Sequence, residues 1–492
     1  MQILIVLSLA FLAAWLAYSR RSESRRSKHP PGPPRIPIFG NIFQLGPNPH
    51  KSFADLAKTY GPIMSLQLGN QFAVVVSSPE MATEVLQRQG LVFSKPFNPV
   101  ALCVLGHDHN SVAMLSSTSD VWKKLRRIST EMLFSRQALH AGQSLRQEIL
   151  RKLVGHVGKC SGAMNVGEVM FSTMSNLMFS TLFSTELDVG DSRVFRDHVN
   201  SYTRLIGVPN IADFFPVLAP LDPQGSRRKV VYHLGGLLEI VEGMIEKRKR
   251  ARGAPDYRQK NDFLEKLLDL AEGHEYDLNI EEMKHLLVDL IIAGSDTSGA
   301  TTEWAIVELL LHPDKMTKLK AELKSVLGSK QRVVEESDIS RLPYLQATVK
   351  EVFRYHPVAP LLSPHVAEDE TQLNGYVIPK NTKMFVNFWG ITRDPSIWKN
   401  PECFEPERFL DKDIDFGGQH FELIPFSSGR RICPGLPLAG RMVQCMVATL
   451  CHNFDWKLEK GIESKEFQRE DVFGLALQKK NPLWAIPTKV SW

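Results

Sequence analysis

The chain has 492 residues, 43 % of them hydrophobic, which allows either one large catalytic unit or several smaller domains. Its 59 basic against 54 acidic side chains leave +5, too thin a surplus over this length for a nucleic-acid binder. Six cysteines with no C-x-x-C pair argue against a disulfide framework, a zinc ribbon and covalent c-type haem attachment.

Ile3 to Tyr18 is an almost unbroken apolar run without charge, slightly short of a full bilayer crossing, with Trp15 and Tyr18 suited to an interface. Arg20, Arg21, Arg25, Arg26 and Lys28 follow, against Glu23 alone, so a single membrane helix with a cytosolic body is expected. A cleaved secretory signal is the alternative, but there the charge precedes the apolar run. Pro30-Pro31-Gly32-Pro33-Pro34 cannot continue a helix and reads as a stiff spacer. The expected division is an anchor over 1–19, a basic and proline-rich hinge over 20–36, and a catalytic body over 37–492.

In the body, residues 63–68 and 72–76 alternate as two strands around a Gly69-Asn70 turn. From Ala82 to about Phe215 the pattern is mostly helical, and Pro216 to Pro223 reads as a loop. The basic run Lys247-Arg248-Lys249-Arg250 with Arg252 reads as a solvated helix end. Glu281 to Leu311 predicts one long helix, apolar on most faces and therefore buried. Helices continue through Arg354, then 383–387 fits a short buried strand. Residues 395–435 read as coil, and a last helix runs from Leu436 to about Asn453. No repeat or low-complexity block is present. The sum is a mainly α body with a minor β portion.

Four groups of residues carry chemistry. The first is Phe426-Ser427-Ser428-Gly429-Arg430-Arg431-Ile432-Cys433-Pro434-Gly435, a lone cysteine in a glycine-punctuated loop that opens onto a helix. Gly429 and Gly435 can take positive φ and let backbone approach a flat ligand. Arg431 offers donors to a carboxylate, and a helix N-terminus favours thiolate. A thiolate ligand pushes electron density onto haem iron and favours O–O cleavage. A buried structural cysteine explains the same residues when they are read alone. The second group is Ala293-Gly294-Ser295-Asp296-Thr297-Ser298, polar residues in the middle of the apolar helix. Ala293 and Thr297 share a face; a small residue there leaves room for O₂, and a hydroxyl with a neighbouring acid suits proton delivery. A satisfied polar kink is the plainer account. The third is Glu351-Val352-Phe353-Arg354, charges at i and i+3, with Arg408 downstream to close a network of three. The fourth is Trp122 with Arg126, i and i+4 neighbours able to bind one carboxylate; a basic amphipathic face is the alternative.

Together, in this order and spacing, these elements resemble the cytochrome P450 superfamily, from the anchor to the C-terminal strands. The resemblance implies a haem-thiolate fold with Cys433 as axial ligand of a haem b iron. It implies that Asp296 and Thr297 are the catalytic acid–alcohol pair, and that Trp122, Arg126 and Arg431 meet the haem propionates. Phe426 and Gly435 would flank the cofactor, and Glu351, Arg354 and Arg408 would brace it. Two departures stand out. Pro364-His365 replaces the usual Pro-Arg, so a titratable His365 would take a propionate partner's place, and Ser427 stands where glycine is common.

Ser78-Pro79-Glu80-Met81-Ala82 and Asp394-Pro395-Ser396-Ile397-Trp398 resemble the plant microsomal type. Asn453-Phe454-Asp455-Trp456 and Leu342 to Thr348 resemble its terpenoid-oxidising branch, which includes geraniol hydroxylases, ferruginol synthase and abietane carbon-20 oxidases. That implies hydroxylation of a terpenoid with O₂ and NADPH, by preference an abietane diterpenoid oxidised at carbon 20 toward a carboxylic acid. Ferruginol synthase or geraniol hydroxylase activity is the alternative. Electrons would come from NADPH–cytochrome P450 reductase at the endoplasmic reticulum, since no G-x-G-x-x-G opens a βαβ unit. Arg430, Arg431 and Arg441 would form a basic docking face for it. Substrate walls would come from Pro99–Leu115, Ile206–Phe214, Leu286–Thr297, Val358–Ser363 and a lip at Phe473–Leu477. Within them His107 to Asn110 reads as a solvated loop. A reductase-independent haem-thiolate isomerase or lyase and a non-catalytic haem carrier are the competing classes. Asp296-Thr297 speaks against both.

Overall fold

The structure, a computed structural model, describes residues 28–491 apart from 188, 274–275, 460–466, 468 and 475. The apolar run Ile3–Tyr18 and the arginines after it lie outside the described residues. No described helix is long and apolar enough to cross a membrane. The chain is mainly helical with small sheets. The expected hairpin is present: β1 (Ile63–Leu68) pairs antiparallel with β2 (Gln71–Val76) through the two-residue turn, Ile63 opposite Val76. Two short strands, β3 (Lys95–Pro96) and β4 (His365–Val366), and the buried β5 (Lys383–Val386) complete a sheet ordered β1-β2-β5-β4-β3. Only β2 and β5 run parallel.

The long central helix α3 (Ile280–Leu311) begins where Asn279 and Glu282 cap each other reciprocally, which satisfies two of its free N–H groups. It stops at His312 because Pro313 cannot follow in helix. Four helices cover it: α1 (Val166–Phe183), α2 (Ser226–Arg252), α4 (Pro343–Tyr355) and α5 (Leu436–Asn453). Helix α1 passes so close to Gly294 that a Cβ there would lie 2.5 Å from Met178 Sδ, so this glycine serves close packing of the two helices.

Three expectations change. The proline-rich stretch is no free spacer from Lys28 onward: the Pro30 and Pro31 carbonyls accept from Ser65 Oγ and N at 2.7 Å each, which lays it along β1. The stretch after Pro216 is a 3₁₀ turn over Pro216–Leu221. The basic run is solvated only in part: Lys247, Lys249 and Arg250 are exposed, whereas Arg248 and Arg252 face carboxylates. Arg248, 8 % exposed, donates to both Asp262 carboxylate oxygens at 2.9 and 2.6 Å, to Glu265 Oε2 at 2.7 Å and to the Phe183 carbonyl at 2.9 Å. Arg252 pairs with Glu265, Asp269 and Glu272. A charge run looks the same in sequence whether water or carboxylates face it.

Candidate active site

Cys433 ends the coil that leads into α5. Gly429, at φ 68°, lets that coil turn hard against the Leu86 carbonyl, where a Cβ would sit 2.0 Å from the oxygen. Gly435 does not take positive φ as expected; at φ −78° it is the N-cap of α5. Ser427 occupies the left-handed region at φ 63°, where the resembling family commonly has glycine. Cys433 N donates to the Phe426 carbonyl at 2.9 Å. Phe426 packs edge-on against Phe353 of α4, ring centroids 5.3 Å apart, so the coil leans on α4. Burial pushes the Cys433 thiol up, while the Gly435 and Leu436 N–H groups and nearby Arg126 oppose that rise. The helix end alone therefore does not hold a thiolate; a bound metal would deprotonate the sulfur.

Although neighbours crowd it, Cys433 keeps accessible surface. So does Ala293, in the middle of α3 where most neighbours are buried, and Thr297 and Ala300 on the same face are partly accessible. Accessible surface halfway along a core helix lines an internal space. Thr297 Oγ1 donates to the Ala293 carbonyl at 2.9 Å, the back-bond the sequence suggested. Asp296, one position back, is buried and accepts from Gln478 Nε2 at 2.6 Å; burial raises its carboxyl to about 6.

Trp122 lies between two guanidinium groups, Arg126 at 5.9 Å and Arg431 at 5.6 Å from its ring. Arg126 donates to the Ile432 carbonyl at 2.6 Å, Arg431 to the carbonyls of Leu115 and Ala113 at 2.7 and 2.9 Å. Burial and the neighbouring Arg126 lower Arg431 to about 10. Neither arginine has a carboxylate partner among the described residues. Two adjacent, partly buried cations without an anion among the described residues suit a ligand that brings its own carboxylates. Among the described residues no cluster of three His, Cys, Asp or Glu side chains could hold a bare ion, so a metal bound by Cys433 must bring most of its own ligands. A metal-bearing ring with acidic arms meets both conditions, and the residues fit haem.

His365 is buried in β4 beside Arg431, its Nδ1 2.7 Å from the Phe93 carbonyl. Burial first, then Arg431, hold it down to about 4. It is thus neutral at pH 7, with the proton on Nδ1 and none on Nε2.

Glu351, Arg354 and Arg408 come together out of water. Arg354 meets Glu351 through two bonds of 2.7 and 2.8 Å, and Arg408 Nε reaches the same carboxylate at 3.1 Å. The Arg354 guanidinium also donates to the carbonyls of Thr392, Pro401 and Cys403. These bonds join α4 to the coil that leads toward Cys433.

Two expectations on the distal side and the surface need correction. His107 is not in a solvated loop: it is 2 % exposed, its Nδ1 2.8 Å from His285 Nδ1 and its Nε2 3.6 Å from Asp289. Asp289 also accepts from Ser111 Oγ at 2.7 Å, which ties the 107–115 loop to α3. No local pattern announces this, because the partners are 178 residues apart. Of the three arginines expected at a docking face, Arg431 points inward; Arg430 is exposed, and Arg441 sits 3.5 Å from Glu336.

Comparison with known proteins decides the family. The profile described as Cytochrome P450 matches residues 30–486. The chain belongs to the cytochrome P450 family. It is a haem-thiolate monooxygenase whose electrons come from NADPH through a reductase. It is 71 % identical to carnosic acid synthase of Salvia pomifera and 66 % identical to 11-hydroxysugiol 20-monooxygenase of Salvia miltiorrhiza, each over the full length of both chains. It is 48 % identical to ferruginol synthase of Isodon rubescens over 95 % of this chain and 96 % of that one.

Proposed function

We propose that this P450 oxidises carbon 20 of an abietane diterpenoid and carries it stepwise toward the carboxylic acid. The carrying observation is the gradient of identity. Full-length identity is 71 % to a carnosic acid synthase and 66 % to a 20-monooxygenase, but 48 % to a ferruginol synthase. When bound, haem with a thiolate ligand supplies dioxygen activation. Cys433 would hold the iron, and Arg126, Arg431 and the Trp122 N–H would hold the propionates. His365, neutral and without a proton on Nε2, accepts at that nitrogen and would donate to a propionate only once protonated. Ala293 leaves room in the space beside the middle of α3, and Thr297 with Asp296 passes protons into that space. The apolar walls exclude water and bind a hydrocarbon skeleton. Glu351, Arg354 and Arg408 hold the coil that carries Cys433.

The body sits on the cytosolic face of the endoplasmic reticulum, with residues 1–19 as anchor, 20–36 as the connecting segment and 37–492 as the catalytic unit. Supporting this, exposed Ile36, Ile38, Phe39 and Phe43 adjoin exposed Ile211, Val217 and Leu221, linked by the Phe39–Phe215 ring contact at 6.1 Å. The test is co-expression with a plant reductase in yeast microsomes. The microsomes are fed geraniol, an abietatriene, ferruginol and 11-hydroxyferruginol, and products are read by mass. An acid formed from 11-hydroxyferruginol supports the proposal. Conversion of geraniol alone overturns it.

A further inference from the structure

Buried carboxylates in this protein generally face cations. Glu351 has Arg354 and Arg408, Glu308 has Arg469, and Asp262 has Arg248. Asp213, Glu303 and Asp296 depart from that pattern. Asp296 is 6 % exposed, and among the described residues no cation lies within ion-pair distance of it. Its Oδ1 is instead held by the carboxamide of Gln478, at 2.6 Å across 182 residues of sequence.

Gln478 belongs to a small hairpin, β6 (Asp471–Val472) paired with β7 (Gln478–Lys479). The hairpin is fixed on its far side by the Lys51–Asp471 ion pair at 2.8 Å. Near its tip, Leu477 N donates to the Val358 carbonyl at 2.6 Å, and Phe473 stacks on His50. The segment between the two strands is the one expected to form a lip over the substrate. A single hydrogen bond therefore joins that lip to the acid at the centre of α3.

We propose that Gln478 is a positioning residue for proton delivery: its amide N–H grips Asp296 Oδ1, fixes the carboxyl rotamer and leaves Oδ2 to exchange protons. The inference rests on the reading of Asp296 as the proton-carrying acid. The chemistry favours an amide over a guanidinium here. A cation in contact would lock the acid in its ionised form, whereas a neutral donor orients it and still lets it take up a proton. The carboxyl, raised to about 6 by burial, has both forms within reach near neutrality. Because Gln478 is part of the hairpin, a substrate that presses on the lip also acts on the acid.

The test uses the full-length protein with its reductase, with 11-hydroxyferruginol as probe. Product, hydrogen peroxide and NADPH consumed are measured together, beside the spectral shift on probe binding. Gln478→Met keeps the length and removes the donor. Product per NADPH is expected to fall about fivefold, the equivalent of one ordinary hydrogen bond lost, with peroxide rising to match and the spectral affinity unchanged. Gln478→Met with Asp296→Asn should couple no worse than Asp296→Asn alone, because one residue acts through the other. If Asp296→Asn uncouples the enzyme while Gln478→Met does not, the role of Gln478 is refuted and that of Asp296 stands. If Asp296→Asn leaves coupling intact, both fall. Weaker probe binding with intact coupling in Gln478→Met would make the bond a mere peg for the hairpin and overturn the proposal.

Discussion

Replacing Arg354 by leucine tests what holds the cysteine coil in place. The guanidinium makes five hydrogen bonds, two to Glu351 and one each to the carbonyls of Thr392, Pro401 and Cys403. Both side chains of the pair are fully buried. Arg354→Leu would leave Glu351 with Arg408 Nε at 3.1 Å and Glu405 N at 2.7 Å, so its charge is not wholly abandoned; the Cys403 carbonyl keeps Arg408 Nη2 at 3.2 Å, but the carbonyls of Thr392 and Pro401 lose their donor. Breaking one side of a buried pair costs about 3–5 kcal/mol, and orphaned carbonyls add to that. We expect about 4 kcal/mol, a large part of the roughly 5–15 kcal/mol that holds a folded domain. Urea unfolding of the full-length protein in detergent, followed by far-UV circular dichroism, reads the loss. The reduced carbon monoxide spectrum gives the fraction carrying haem. Glu351→Leu with Arg354→Leu should cost less than the two singles summed, since the double change leaves no unpaired charge. An Arg354→Leu midpoint equal to the parent's, or strict additivity in the double variant, would refute the reasoning. Lys58→Met, which removes an exposed pair with Asp55, is the control expected to change nothing measurable.

Cys433→Ala should abolish the haem-thiolate band of the reduced carbon monoxide complex; a retained band sinks the ligand assignment. Thr297→Ala should keep that band and NADPH consumption while diverting electrons to peroxide, and unchanged coupling would count against a hydroxyl role. Ser427→Gly relieves a side chain held at φ 63° and should stabilise by about 1 kcal/mol in urea unfolding; destabilisation would show that the serine side chain matters more than its backbone. His50 is buried between Phe473 and Trp389 with neither ring nitrogen hydrogen-bonded among the described residues, and burial holds it down to about 4. The folded form stays neutral while the unfolded chain protonates below 6.5, so stability falls as pH drops from 6.5 to 4, by about 3 kcal/mol for this residue. His50→Phe should remove that share of the acid sensitivity, and an unaltered pH profile of the urea midpoint would refute it.

What the sequence made legible was local. Helix α3 could be read because apolar residues run through most of its faces. The β1–β2 hairpin followed from two short, mostly apolar runs on either side of Gly69-Asn70, and the start of α5 from the loop that ends at Gly435. Trp122 and Arg126 could be paired because four residues make one helical step. Partners far apart in sequence stayed hidden. Nothing near Asp296 points to Gln478, and nothing near Arg248 separates a solvated run from one that meets Asp262 and Glu265. His107 looked like loop polarity because its partners, His285 and Asp289, lie on another element. The left-handed backbone at Ser427 was equally invisible, since only a departure from glycine hinted at it.

The proline-rich stretch lying along β1 has a mechanical consequence. A Cβ at Gly32 would sit 1.9 Å from the Ser65 carbonyl oxygen, so chain and strand are in direct contact there. From Pro30 onward the chain is therefore bolted to the strand. Trimming the chain through Pro31 would strip Ser65 of both partners and loosen the bracket along with the strand.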